Sequence, residues 1–149
     1  MSIGGGNPQV QELSSQLEQL ERQREALEAE IQSLEEQKRD TDRAIEAIDK
    51  LETDSTVQVP IGGGAYVRAT ISDIDEVIVD LGADYSAERD QEGAIETLKV
   101  KKETLDERIS EFRSDITEVD NESERLEQQL EQLQTQQMQQ LQGQMQQDE

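Results

Sequence analysis

The chain has 149 residues, of which 32% are hydrophobic, 2% aromatic and 34% charged, too little apolar volume for an ordinary globular core. It contains no cysteine and no histidine, which excludes disulfides, thiolate nucleophiles, histidine general bases and the usual zinc sites. No catalytic constellation is present in the sequence. We therefore expect no enzymatic activity, no cofactor and no metal.

The charge is strongly negative, with 36 acidic and 14 basic residues and a net charge of −22. Nucleic acid is not an expected partner, because phosphate binding needs a basic face. A strongly acidic chain with few lysines favours a high-salt cytoplasm, where salt screens the self-repulsion. The alternative is an ordinary acidic coiled coil with a solvated outer face. No apolar run is long enough to span a membrane and the start does not resemble a signal peptide, so we expect a soluble, cytoplasmic protein.

The chain divides into three segments. Residues 1–52 are predicted to be a flexible leader (residues 1–6) and an N-terminal coiled-coil helix, with Asn7 as N-cap and Pro8 at the first helical position. Residues 53–90 hold Pro60 and most of the valines, and are predicted to form two β-hairpins that serve oligomerisation. Residues 91–149 are predicted to be the C-terminal coiled-coil helix with a Gln-rich tail.

Both helical segments carry apolar residues at alternating spacings of three and four. The first seam consists of Val10, Leu13, Leu17, Leu20, Arg24, Leu27, Ile31, Leu34, Lys38, Thr41, Ile45 and Ile48. The second seam consists of Ile95, Leu98, Lys102, Leu105, Ile109, Phe112, Ile116, Val119, Ser123, Leu126, Leu130 and Leu133. A repeat of 3.5 residues sustained over this length predicts a left-handed coiled coil.

The two seams have equal length, as an intramolecular antiparallel pair of helices requires. Folding back is expected to place Ile48 beside Ile95 and Val10 beside Leu133. The same pairing places Thr41 opposite Lys102, and this polar layer is a candidate for fixing the register of the coil. The alternative is that both side chains simply turn outward.

The heptad breaks after Leu133. Met138, Leu141 and Met145 then recur on a shifted phase among glutamines, and no part of the first helix remains to cover them. Flexible, polarizable methionines are typical of surfaces that accept many apolar partners, which points to a binding surface. A frayed, low-complexity tail is the alternative.

The middle segment alternates apolar and polar residues in short runs separated by glycine turns, which predicts two β-hairpins. Two short hairpins are rarely stable alone. We therefore expect other subunits to bury their apolar residues. The candidate oligomerisation residues are Val57, Val59, Ile61, Val67, Ile71, Val77, Val79 and Leu81. The glycine triplet 62–64 lacks the Gly-Lys-Ser/Thr continuation of a phosphate loop and is predicted to be a tight turn.

The order helix, two hairpins, helix resembles the α subunits of archaeal prefoldin, an α+β, mainly α fold. Its specific part is the hairpin sequence, VPIGGGAYV over 59–67 and VIVDLGADY over 77–85; two hairpins mark the α rather than the β type. The resemblance implies a hexamer of two α and four β subunits, in which the hairpins assemble into an intersubunit β-barrel. It also implies capture of unfolded client proteins without ATP and delivery to a group II chaperonin, with no role for nucleic acid or membrane.

By this resemblance, the client-binding tip corresponds to the two ends of the helical segments. Its candidate residues are Val10, Leu13, Leu17, Leu133, Met138, Leu141 and Met145. The extreme acidity and the Gln-rich end depart from the family pattern and leave the mode of chaperonin docking open. The competing hypothesis is a structural coiled-coil tether or scaffold that binds no client.

Overall fold

The computed structural model describes residues 7–147, so the predicted leader lies outside the described residues. Its elements in chain order are α1 (Pro8–Lys50), β1 (Thr56–Gly62), β2 (Ala65–Thr70), β3 (Val77–Gly82), β4 (Tyr85–Arg89) and α2 (Gln91–Gln147). The predicted fold of two long helices and two antiparallel β-hairpins, mainly α, is confirmed. Two compact units are formed: one comprises residues 33–109, and the other combines the beginning of α1 with the end of α2.

Asn7 caps the start of α1. Its side-chain oxygen accepts a hydrogen bond from the backbone N–H of Gln9 at 3.0 Å, and Pro8 occupies the first helical position, where no N–H is needed. The start of the helix is therefore set by two adjacent residues whose roles are readable in the sequence.

The two hairpins close through turns of left-handed backbone conformation. In the first, Val59 pairs with Val67, and the three turn glycines 62–64 have φ values of 105°, 60° and 80°. Glycine adopts this conformation without a steric penalty, so the triplet is a tight turn. In the second hairpin, Val79 pairs with Ala87, and Ala83 and Asp84 take positive φ values of 51° and 64°.

Gln91 joins the end of α1 to the start of α2. Its side-chain amide donates hydrogen bonds to the backbone carbonyls of Ile48 at 2.7 Å and Leu51 at 3.1 Å. The Ile48 carbonyl lies in the last turn of α1 and the Leu51 carbonyl lies directly after it, where no helical N–H is available to them. The backbone N–H of Gln91 in turn donates to Asp75 at 3.3 Å, which ties the segment between the hairpins to the same point.

The second hairpin also contacts α2 directly. Lys101 donates from its ammonium group to the backbone carbonyl of Asp80 at 2.8 Å. Val79 and Ala94 are buried, with Leu34 and Ile109 completing the buried apolar set of this unit. In the other unit the buried apolar residues are Ile31, Val119 and Leu126.

Each basic residue in the two seams reaches a carboxylate on the opposite helix. The pairs are Arg24–Asp120 at 2.7 Å, Lys38–Asp106 at 2.5 Å and Lys102–Asp42 at 2.7 Å. The hydrogen bond to Asp42 raises the pKa of Lys102 above its ordinary value, and that to Asp120 does the same for the pKa of Arg24. The seam cations are therefore held as cross-helix ion pairs.

The predicted polar layer of Thr41 and Lys102 is not a direct contact. The Thr41 hydroxyl donates to the backbone carbonyl of Gln37 on its own helix at 2.7 Å, while Lys102 turns to Asp42. The two side chains therefore bond to different partners, although both are half-buried. If the register is set by polar groups, the cross-helix ion pairs set it.

We predict that Lys102→Gln lowers the melting temperature at low salt more than Lys99→Gln does. Of these two lysines, only Lys102 has an ion-pair partner among the described residues. Both substitutions change the net charge equally. Because the pKa of Lys102 is raised, its contribution is present at neutral pH and is lost as pH rises through that raised value. Thermal melts followed by circular dichroism measure the difference.

Molar salt should narrow the gap between the two variants, since the screening length falls from about 10 Å at 0.1 M to about 3 Å at 1 M salt. Equal losses for the two variants at low salt would contradict the assignment of Lys102 to a stabilising cross-helix pair.

A second prediction concerns Gly93 in the first turn of α2. The Asp90 carboxylate caps this helix by accepting from the Gly93 N–H at 2.7 Å, and a Cβ on residue 93 would lie 2.6 Å from the same oxygen. Gly93→Ala should therefore break a cap worth about 1 kcal/mol, which cancels or exceeds the usual helix gain of about 0.5–1 kcal/mol. Denaturant unfolding measures the change in the free energy of unfolding.

The sign should reverse when the cap is already absent. In an Asp90→Ala background, Gly93→Ala is expected to stabilise, because the carboxylate no longer occupies the space of the new methyl group. Gly143→Ala is the matched control, since a Cβ there meets nothing within 4 Å, and it should raise the helix content. Stabilisation by Gly93→Ala in the otherwise unaltered chain would refute the cap argument.

Candidate functional site

The beginning of α1 and the end of α2 form a groove with an unusual lining. Gln9, Glu12, Leu13 and Gln16 contribute from α1, and Gln129, Gln132, Leu133 and Gln136 contribute from α2. We call this surface the amide groove. Two leucines of the seams provide its apolar part, and five glutamines and one glutamate provide the rest.

Beyond the amide groove, α2 carries three exposed apolar side chains. Met138, Leu141 and Met145 are 63%, 60% and 75% exposed. Their spacings of three and four place them along one stripe of the helix. Among the described residues nothing packs over this stripe, which we call the Met–Leu stripe.

The structure distributes the seven predicted tip residues between two environments. Val10, Leu13, Leu17 and Leu133 are half-buried in the helix pair, and Leu13 and Leu133 meet in the amide groove. The three residues of the Met–Leu stripe are exposed and line no part of that groove. Of the seven predicted tip residues, four are therefore packed in the helix pair and three are exposed.

The groove glutamines are side chains that the sequence analysis did not single out. A signal was present: Gln9, Gln16, Gln129 and Gln132 each directly precede an apolar seam residue. Such flanking positions in coiled coils usually hold charges that pair between helices. Gln9, Gln16 and Gln129 occupy positions of this kind, and their neutral amides mark this end of the pair as different.

The hairpins present the second candidate surface. Because opposed residues of an antiparallel pair share a face, the Val59–Val67 and Val57–Ala69 pairs put four apolar residues on one face of the first hairpin. Val59 and Val67 on this face are exposed, as is the adjacent Ile61 at 65%, which lies at the irregularity in the pairing between Pro60 and Gly62. In the second hairpin Leu81 is exposed, whereas Val79 is only 5% exposed.

Val79 therefore belongs to the core of this chain, unlike Val59, although both stand at equivalent places in the sequence pattern. Val57, Ile71 and Val77 are half-buried. The residues of the predicted oligomerisation set that the chain leaves most open are thus Val59, Ile61, Val67 and Leu81.

Three exposed apolar residues on the hairpins fall outside the predicted set: Tyr66, Ile78 and Tyr85. Tyr66 is opposite Pro60 and Ile78 is opposite Glu88, which puts both on the faces that the alternation assigned as polar. Both faces of the hairpins therefore carry exposed apolar side chains.

The residues on these surfaces are apolar or carry neutral amides for the most part. Within residues 7–147, no cluster of three or more acidic, histidine or cysteine side chains is arranged to hold a metal ion. No helix in that part of the chain is long and apolar enough to cross a membrane. What the two surfaces offer is apolar area, amide groups and unpaired strand edges.

Comparison with known proteins agrees with this description. The family described as "Prefoldin subunit" matches residues 20–136. The prefoldin subunit alpha of Haloarcula marismortui is 57% identical over 116 residues, covering 78% of this chain and 75% of the relative. That of Halorubrum lacusprofundi is 52% identical over 109 residues, covering 73% and 72%. These haloarchaeal relatives support the prediction of adaptation to high salt.

A solved structure shares the fold. The cryo-EM structure of filamentous PFD from Methanocaldococcus jannaschii superposes with a TM-score of 0.52 at 26% identity, covering 80% of this chain and 96% of that chain. The match over residues 20–136 includes most of both helices and all four strands. The chain therefore belongs to the prefoldin family of chaperone subunits, and its relatives are of the alpha type.

Proposed function

We propose that this subunit captures unfolded proteins without ATP and delivers them to a group II chaperonin. The observation that carries the proposal is the Met–Leu stripe, whose three side chains are at least 60% exposed. A soluble chain gains nothing from exposing such a stripe unless it binds something apolar. Methionine suits the task, because its unbranched, polarizable side chain adapts to many shapes.

Binding at one stripe alone is weak, since three side chains bury little area. Our proposal places several subunits in one assembly, so that a single non-native chain is held at several coiled-coil ends at once. The overall affinity of several linked weak contacts can exceed the affinity of each single contact by orders of magnitude. High salt adds to the effect, because salts excluded from protein surfaces strengthen apolar burial.

We propose a hexamer of two α and four β subunits, with the hairpins of residues 53–90 joined into an intersubunit β-barrel. Two-stranded sheets are at best marginally stable alone, and their open edges and apolar faces need cover. The exposed Val59, Ile61 and Val67 supply such a face. The assembly in the filamentous prefoldin structure supports an oligomeric role for the family.

The proposed setting is the cytoplasm of a halophile, without a membrane or nucleic-acid partner and without a catalytic role. A net charge of −22 opposes phosphate binding and is tolerated where salt screens it. The two helical segments then act as one arm of the chaperone, and residues 53–90 as its assembly module.

We predict that Met138→Gln, Leu141→Gln and Met145→Gln together lower suppression of client aggregation by several-fold while the assembly stays intact. Glutamine keeps helix propensity close to that of methionine and leucine, and the neighbouring residues are already glutamines. The substitution therefore removes apolar area without breaking the helix. Light scattering of a denatured client diluted into molar salt measures activity, and native mass spectrometry measures the assembly.

Val100→Gln serves as the control, because Val100 is an exposed apolar residue on the same helix outside both candidate surfaces. Its activity should equal that of the unaltered protein. Full activity of the triple variant would refute client binding at the stripe and favour the tether or scaffold hypothesis.

The hairpin surface gives the complementary prediction. Ile61→Ser with Val67→Ser should lower the native mass from the hexamer towards free subunits, since two exposed apolar side chains lose their burial at the interface, each worth about 1.5–3 kcal/mol. The helix content of the separated chain should remain. Gln58→Ser with Arg68→Ser, an opposed pair on the other face, is the control, and equal dissociation by both variants would count against the assigned face.

A further inference from the structure

The amide groove is nearly free of charge in a strongly charged protein. Its eight lining residues include one carboxylate and no cation. Neither residues 7–21 nor residues 126–147 contain a lysine or arginine. The ligand of such a groove is not selected by charge.

The five groove glutamines have unused hydrogen-bonding capacity. Within the described residues none of their side chains has a hydrogen-bond partner. Gln16 is half-buried and the others are exposed. Each amide offers two N–H donors and one carbonyl acceptor, so both kinds of group line the same groove.

The neighbouring groove along the helix pair shows that this lining is a local feature. Leu20, Gln23 and Leu27 of α1 face Asp115, Glu118, Val119 and Glu122 of α2 there. Three carboxylates occupy one wall, and carboxylates accept hydrogen bonds but do not donate them. Gln23 is the one amide among the residues that line this neighbouring groove, whereas five amides line the amide groove.

We propose that the amide groove binds an extended main-chain stretch of a non-native protein through its peptide groups. A peptide group is neutral and carries one donor and one acceptor, and both need partners when they leave water. Glutamine amides match it in both respects. The two seam leucines, Leu13 and Leu133, supply apolar contact between the rows of amides.

The dimensions fit a short segment. Gln129 and Gln136 are two helical turns apart, about 10.5 Å along the axis, which corresponds to about three residues of extended chain. Recognition of peptide groups does not depend on client sequence. The inference rests on the proposed client-binding function and assigns to it a ligand class, the uncharged extended backbone.

Two synthetic peptides test the inference. One is an uncharged apolar peptide that favours extended structure, and the other has the same side chains with alternate backbone nitrogens methylated, which removes donors and leaves side-chain hydrophobicity in place. Binding of both to the full-length chain in its assembled form is measured by fluorescence anisotropy in molar salt. We expect the methylated peptide to bind about tenfold more weakly.

A variant set identifies the groove as the site. Gln16→Met, Gln129→Met and Gln132→Met together remove amides and add apolar area, with the helix propensity and size nearly retained. We expect weaker binding of the unmethylated peptide and equal binding of the two peptides. The matched control is Gln11→Met, Gln19→Met and Gln134→Met, which are exposed glutamines outside the groove lining, and it should behave as the unaltered protein does. Circular dichroism verifies that each variant keeps its helices.

The outcomes separate this inference from the proposed function. If the unaltered protein binds both peptides with equal affinity, or if the Gln→Met variant binds the unmethylated peptide more tightly than the unaltered protein does, the inference is overturned and capture by apolar contact stands. Binding of neither peptide, with no suppression of client aggregation, would remove the proposed function and the inference with it.

Discussion

The narrow apolar contact between α1 and α2 is the constraint on which the other features depend. Few of the described side chains on the helices are buried: Leu34, Ala94 and Ile109 in one unit, and Ile31, Val119 and Leu126 in the other. The apolar contacts alone leave the register open, because a slip by one heptad would keep them. The same slip would separate each seam cation from its carboxylate. The three cross-helix ion pairs therefore restrict the register more than they add stability, because exposed pairs contribute little energy.

The same constraint explains how the acidic surface is tolerated. Most carboxylates lie outside the seam, where water and salt screen them, while three of the few cations are placed where the helices approach each other. The Gln91 amide performs a related task without charge, by satisfying two carbonyls at the end of α1. The seam cations are thus paired with carboxylates, and the carbonyls at the end of α1 are hydrogen-bonded to an amide. The buried side-chain polar atoms of the described residues all have hydrogen-bond partners.

Much of the fold follows from patterns that the sequence displays directly. The spacing of apolar residues predicts both helices, and the alternation around glycine turns predicts both hairpins, because these features depend on neighbours in the chain. The difference between Val79 and Val59 does not follow, since both occupy equivalent strand positions and only the packing against the rest of the chain buries one of them. The glutamines beside the seam are visible in the sequence, but the amide groove itself requires the coordinates, because it depends on which side chains of the two helices lie together.

Apolar area and amide groups lie at the same end of the helix pair. The proposed binding of non-native chains requires both kinds of group. A non-native chain exposes apolar side chains, but its main chain is also polar and loses hydrogen bonds to water when a purely apolar surface covers it. A stripe of methionine and leucine alone would therefore bind such chains at the cost of unsatisfied peptide groups. A neighbouring row of amides offsets that cost without selecting for charge or sequence. The proposed function requires both properties, and in this chain both occur on α2 between Gln129 and Met145.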